Sequence, residues 1–296
     1  MTGGALDIAL TRDGPRIRPP APLGIEAMLV GRSPEEAAEL LPRLFNLCRA
    51  TQSLGARRAL GLEVRRADKA ELARDIMREH LMRLFVLWPR RLGLAPAPLP
   101  GPDATLASAF GASRRLPDPD ELDRWLASGD GVAPLFRAIA EAFAPGEAVA
   151  DLPAPDAQTL CQTVAQENSP WARHRDAPLL AAAEARFGRG PLWRALARLV
   201  DLDACARGSL DTGAQSANGI TFVPAARGTY ALSARIREGR VVAFIRWTPT
   251  DHLLAPDGAL TRSLAALPAA KAHFAPLAVD ILDPCMPVLF REEHHA

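Results

Sequence analysis

Residues 43–52 read Arg43-Leu44-Phe45-Asn46-Leu47-Cys48-Arg49-Ala50-Thr51-Gln52. Upstream, Ser33-Pro34 with Glu36 three residues on is a helix start, with Ser33 as N-cap and Pro34 in the first turn. Leu40, Leu41, Leu44 and Leu47 then recur at helical spacing. One helix is therefore expected to run through about residue 66, with Cys48 inside it. A lone cysteine on an amphipathic helix is ordinarily a small core hydrophobe.

Working outward, residues 69–92 predict a second helix, whose run His80 to Trp88 is apolar almost all round and hence buried, with Pro89 marking its end. Residues 5–18 alternate about Asp13-Gly14 as a hairpin, and residues 95–119 look like a connector. Helices are expected near 119–128, 132–143, 156–167 and 190–206, and residues 207–219 as a loop. Residues 229–237 and 240–248 flank Glu238-Gly239 as a second hairpin. A short helix near 258–267 and a last segment, 279–290, close the chain. The fold class read from this is mainly α with small β-hairpins (α+β).

Bulk properties exclude more than they assign. The 35 basic and 34 acidic residues among 296 leave a formal charge of +1, so neither nucleic acid nor a membrane surface is called for. There is no signal-peptide pattern and no bilayer-length apolar run, so the expectation is a cytoplasmic chain with reduced thiols. The four cysteines, Cys48, Cys161, Cys205 and Cys285, are widely scattered. Cys161 and Cys205 fall in expected helices and read as core residues. His80, His174, His252 and His273 have no ligand-like spacing, and His294 and His295 read as a polar tail.

Three further segments stand out. Asp283-Pro284-Cys285-Met286-Pro287 reads as a turn with one thiol. Ala226-Arg227-Gly228 and Thr248-Pro249-Thr250 bracket the second hairpin and are compatible with plain turn chemistry. Taken in order, these segments resemble the large subunits of nickel–iron hydrogenases, and most closely the shorter HupK-type hydrogenase expression/formation proteins. In catalytic large subunits an Arg-x-Cys-x-x-Cys-x-x-x-His motif pairs with an Asp-Pro-Cys-x-x-Cys-x-x-His motif. Their four thiolates hold nickel and an iron carrying two cyanides and one carbon monoxide. Here Phe45 stands at the first cysteine, Cys48 at the second and Gln52 at the histidine. In the second motif Cys285 is kept, Val288 replaces the other cysteine and Arg291 the histidine. Ala-Arg227-Gly resembles the family's Pro-Arg-Gly, and Thr248-Pro249-Thr250 its Pro-Ser/Thr segment. The run from His80 to Trp88 resembles the buried helix of the large subunit.

The resemblance covers about residues 25–92 and 222–291. It implies a reduced large-subunit-like fold, one domain over 1–296, in which the N-terminal region (about 1–92) and C-terminal region (about 222–296) meet at one site across a shortened helical middle. It implies no nickel and no hydrogen cleavage, since a four-sulfur nickel site needs all four cysteines. Two thiols remain for one iron, thiolates being soft donors suited to such a centre. Cys48 and Cys285 would anchor iron, while Arg227, Pro249 and Thr250 would face the cyanides. Cys48 occupies an iron-bridging position; Cys285 occupies a nickel-terminal one, so either iron shifts to reach it or a partner supplies a thiolate. The implied function is a non-catalytic assembly scaffold that carries the iron–dicyanide–carbonyl fragment to the immature large subunit, with small HypC/HupF-type chaperones as partners. The rival is a metal-free chaperone mimicking the large subunit; a residual redox enzyme ranks third. Arg291 and the short tail after it leave nothing for a nickel-gated cleavage step.

Overall fold

The computed structural model describes residues 4–45 and 48–291. Strands β1 (Leu6–Thr11) and β2 (Gly14–Arg18) form the expected first hairpin, Thr11 pairing with Gly14. After a short α1 (Ile25–Leu29), Ser33 and Glu36 exchange side-chain-to-backbone hydrogen bonds and start α2 (Pro34–Leu40). The single helix expected beyond this point is instead broken. Pro42 has no N–H for the carbonyl of Ala38, and α2 tightens into a 3-10 turn at Leu41–Arg43. A new helix, α3 (Arg49–Ala59), begins only after Cys48, whose φ of 54° is left-handed. Cys48 therefore caps a helix rather than lying within one. Leu47 lies outside the described residues. Gly61 (φ 74°) then closes α3, with Leu62 N–H returning to the Arg57 carbonyl at 2.8 Å.

Next comes α4 (Arg66–Met82), which continues through a π-helical turn at Arg83–Leu87 into α5 (Trp88–Arg91). Pro89 falls inside this rod rather than ending it. The wide turn absorbs the missing N–H, and the freed Phe85 carbonyl accepts from Ala97 N–H at 2.8 Å. The expected connector holds one short helix, α6 (Thr105–Phe110). Helices α7 (Leu122–Ala127) and α8 (Ala133–Ala142) fall where expected. The helix expected over 156–167 is absent, and only a 3-10 turn at Thr159–Cys161 forms. The reason lies just beyond it: Gln166 is buried and folds back onto the Thr159 carbonyl, while buried Glu167 and Asn168 bond to distant Arg194 and Thr229, which an amphipathic helix would not permit. An unanticipated α9 (Pro178–Phe187) precedes α10 (Pro191–Ala206), which is buried along most of its length.

A four-stranded antiparallel sheet follows, ordered β3 (Gln215–Ala217), β4 (Ile220–Ala225), β5 (Gly228–Arg237) and β6 (Arg240–Trp247). Its first strand lies in the expected loop. Asn218 and Gly219, at φ 52° and 76°, make a tight primed turn there, as Glu238 and Gly239 do at 51° and 70° in the expected hairpin. Helices α11 (Pro249–Leu253), α12 (Ala259–Ala265) and α13 (Ala275–Leu282) lead to β7 (Val288–Arg291). The last strand pairs parallel with β1, completing the order β2-β1-β7. No helix among the described residues is long and apolar enough to cross a membrane.

Apolar side chains gather into two clusters. The larger surrounds α10, with Trp88, Phe136, Trp193 and the inner faces of α12 and α13. The smaller lies between α2, α3, α4 and the sheet, and includes Cys48, Tyr230 and Leu232. The segment after α13 spans both: Cys285 packs on the smaller cluster, Met286 and Val288 on the larger.

A buried thiol pair under a network of arginines

Cys48 and Cys285 arrive from opposite ends of the sequence, each at a helix boundary. The left-handed turn at Cys48 starts α3, and a left-handed Asp283 (φ 61°) ends α13 and turns Cys285 inward. The two thiols lie within hydrogen-bonding reach of each other and of the Tyr230 hydroxyl, and neither forms a disulfide. Arg227 Nη1 donates to Cys48 Sγ at 3.0 Å. The Cys285 N–H donates to Thr250 Oγ1 at 3.0 Å, so the Thr250 hydroxyl proton stays free for another acceptor. Pro249 occupies the first turn of α11, while Thr248 and Asp251 form the capping box that frees Thr250 from that task.

Arg227 is a turn residue with an unusual fate. β4 and β5 are joined by Ala226 and Arg227 alone, Ala225 pairing with Gly228. Turns normally face water, yet Arg227 is only 4% exposed. Its Nη2 donates to Glu79 Oε2 at 3.2 Å. Its Nε sits 3.2 Å from Asp283 Oδ1 but off the line of a hydrogen bond, which leaves that N–H without a partner. Burial works against the charge, but Asp283, both thiols and Glu79 outweigh it and hold Arg227 firmly protonated.

Asp283 is the hub. Its carboxylate takes Arg83 Nη2 and Arg198 Nη2 at 2.7 Å each, besides the approach of Arg227. Burial raises the carboxyl pKa, but the three guanidinium groups overcome it and hold it far below the usual carboxylate range. Arg198 bears the cost of crowding: burial, with Arg83 and Arg227 nearby, lowers it to about 10, which still leaves it charged at neutral pH. Counting Glu79, three cations face two anions here, so the network leaves one positive charge beside the thiols.

Within the pair, the hydrogen bond from Cys48 pushes the Cys285 thiol pKa down, with Arg227 helping and burial opposing. The same bond and burial push Cys48 up. The pair is thus set to hold one proton and one negative charge, which Arg227 neutralises. Among the described residues no group of three or more His, Cys, Asp or Glu side chains is arranged to hold a metal ion.

The replaced cysteine positions are filled by apolar side chains. The Phe45 ring is half-buried against the smaller cluster, with the Arg246 guanidinium 4.4 Å from its centroid. Val288 is drawn into β7 opposite Leu6. Gln52 is buried, with its Oε1 unpartnered. Arg43 points to the surface and pairs with Glu39, apart from the buried network. Arg291 is likewise exposed and pairs with Asp7. Cys161 is half-exposed in its 3-10 turn rather than in the core, and Cys205 packs partly on the smaller cluster.

Two of the four histidines that showed no sequence spacing meet in space. His80 and His174 both reach Asp201, at 2.6 and 2.7 Å, together with Arg173. Arg198 Nη1 approaches His80 Nδ1 at 3.3 Å, which joins this cluster to Asp283. Burial lowers His80 to about 4 despite Asp201, so it is neutral at pH 7, donating from Nε2 and accepting at Nδ1.

No family model matches the chain. It is 52% identical to the hydrogenase expression/formation protein HupK of Rhodobacter capsulatus over 301 aligned residues, covering 99% of both chains. The chain belongs to the HupK family of hydrogenase expression/formation proteins. HupK of Azotobacter vinelandii is 28% identical over 92% of this chain and 91% of that protein. Among solved structures, the reduced, active nickel–iron–selenium hydrogenase of Desulfomicrobium baculatum matches with TM-score 0.55 and 11% identity, over 92% of this chain and 93% of that one. A variant of the Desulfovibrio vulgaris Hildenborough enzyme gives 0.56 and 14%, over 92% of each chain. At such identity the likeness is one of fold. This HupK family member has a hydrogenase large-subunit-like fold, mainly helical with small sheets.

Proposed function

We propose that the chain serves hydrogenase maturation as a non-catalytic assembly scaffold that carries an iron–dicyanide–carbonyl fragment and passes it to the immature large subunit. The observation that carries this reading is the thiol pair bonded to a buried, protonated arginine. Two thiolates would be the protein's ligands to iron, and three diatomic ligands would complete the shell. Cyanide nitrogens accept hydrogen bonds, and Arg227 and the Thr250 hydroxyl have donors to give beside Pro249. Phe45 and Val288 offer no thiolate, so nickel has no four-sulfur site. The name shared by the two HupK relatives, hydrogenase expression/formation protein, supports a role in maturation and hydrogenase-related partners. A small HypC/HupF-type chaperone that offers its own cysteine would complete the ligand set and serve as donor. The setting for this work would be the cytoplasm.

One observation favours a metal-free mimic of the large subunit as second reading: Arg227 spends donors inside the chain, on Cys48 and Glu79. Infrared spectra separate the two. Protein purified without oxygen alongside its maturation machinery should show cyanide and carbonyl stretching bands that vanish in Cys48→Ala and Cys285→Ala. Spectra without such bands, from protein with iron near zero, would leave the mimic.

A further inference from the structure

Asn168 belongs to no motif and lies far from both cysteines in the sequence, yet it is buried. Its amide has one acceptor oxygen and two N–H donors, and all three are spent. Oδ1 accepts from the Thr229 N–H at 2.8 Å, while Nδ2 donates to the Thr229 carbonyl at 2.8 Å and to His252 Nδ1 at 3.0 Å. Only this orientation of the amide works, because a flipped group would set N–H against N–H at Thr229. The neighbouring Glu167 pins the segment. Its carboxylate takes buried Arg194 through Nη2 at 2.6 Å and Nε at 3.3 Å, and its N–H donates to the Pro153 carbonyl at 2.9 Å.

These bonds join two elements that each hold half of the thiol site. Thr229 stands two residues after Arg227, which donates to Cys48. His252 stands two residues after Thr250 on α11, and Thr250 accepts from the Cys285 N–H. One planar amide therefore bridges the Arg227–Cys48 half to the Thr250–Cys285 half while touching neither thiol. The strength of a hydrogen bond falls steeply with distance and angle, so the frame that holds a donor decides what that donor can reach. We infer that Asn168 is a positioning residue, which sets Arg227 and Thr250 relative to each other so that both donors meet one cargo. This rests on the iron–cyanide reading above and adds Asn168 and its partner His252 to it.

The test is infrared spectroscopy of the full chain, purified without oxygen alongside its maturation machinery, as wild type and three variants. Asn168→Ala cuts the bridge at both ends, and His252→Leu cuts it at the Thr250 end alone. His252→Asn places an amide oxygen near the position of Nδ1 and keeps an acceptor there. A merely structural role lowers melting temperature, whereas cyanide band positions move only if the donors at the cyanides move. Asn168→Ala should displace the cyanide bands or lose them, His252→Leu should do the same for at least one, and His252→Asn should return the wild-type spectrum. Wild-type frequencies in Asn168→Ala or in His252→Leu, at any melting temperature, overturn the assignment and leave the iron–cyanide reading standing. So does a His252→Asn spectrum as displaced or as empty as that of His252→Leu. A wild type without cyanide bands removes both.

Discussion

Arg227 and Cys48 form the contact on which most of the site's internal order depends. A guanidinium buried to this degree loses several kcal/mol of hydration unless each N–H finds an acceptor. Cys48 Sγ is one acceptor and Glu79 another. Cys48→Ala should therefore destabilise the apoprotein by about 1–3 kcal/mol through an orphaned N–H, while Cys48→Ser keeps an acceptor and should lose less; urea unfolding at pH 7 checks both. Asp283→Asn is expected to cost more, about 3–5 kcal/mol, because it strips the shared counter-charge from buried Arg83, Arg198 and Arg227. A midpoint equal to wild type for Asp283→Asn would show that the three guanidiniums do not depend on it.

The elements that hold these residues are short and irregular. The β4–β5 turn can drive Arg227 inward only because Gly228 lets Asn168 approach. Gly228 has φ 143°, and a Cβ there would lie 2.2 Å from the Asn168 carbonyl oxygen. Gly228→Ala combines backbone strain with a clash against main chain, and should cost on the order of 3 kcal/mol or more. Thermal melting that drops by only a degree or two would contradict that. Residues such as Ser33 with Pro34 and Glu36, and Glu238-Gly239, were legible because caps and tight turns are local chemistry that sequence records directly. The break before Cys48, the π-helical turn that absorbs Pro89 and the strand at Gln215–Ala217 were not, because apolar spacing and loop-like composition masked the local proline and turn signals there. The Asn218-Gly219 turn was the available signal for that strand, and reading residues 207–219 as loop passed over it.

At the scale of the molecule, charges buried between two apolar clusters tie both ends of the chain to the centre. Cys48, Arg227, Thr250 and Cys285 could be picked out in sequence because motif order survives loss of identity. The gathering of His80, His174 and Arg173 on Asp201 could not, since their bonds join residues 27 to 121 positions apart. This network makes stability pH-dependent. His80 is depressed from 6.5 to about 4, so its neutral form stabilises the fold above pH 6.5 and that contribution is lost as pH falls toward 4. Asp201 and Asp283, held below the usual carboxylate range, push in the same direction at lower pH. The melting temperature should fall steadily from pH 7 to pH 4, with His80 contributing on the order of 3 kcal/mol. A profile flat across that interval would be inconsistent with a buried neutral His80.

We propose that Cys48 and Cys285 together hold iron and not nickel. Metal analysis of protein purified without oxygen alongside its maturation machinery tests it most directly. The expected result is about one iron per chain, negligible nickel, and iron lost in Cys48→Ala and in Cys285→Ala. Iron near zero in the wild type, or iron that persists when both cysteines are replaced, would contradict it.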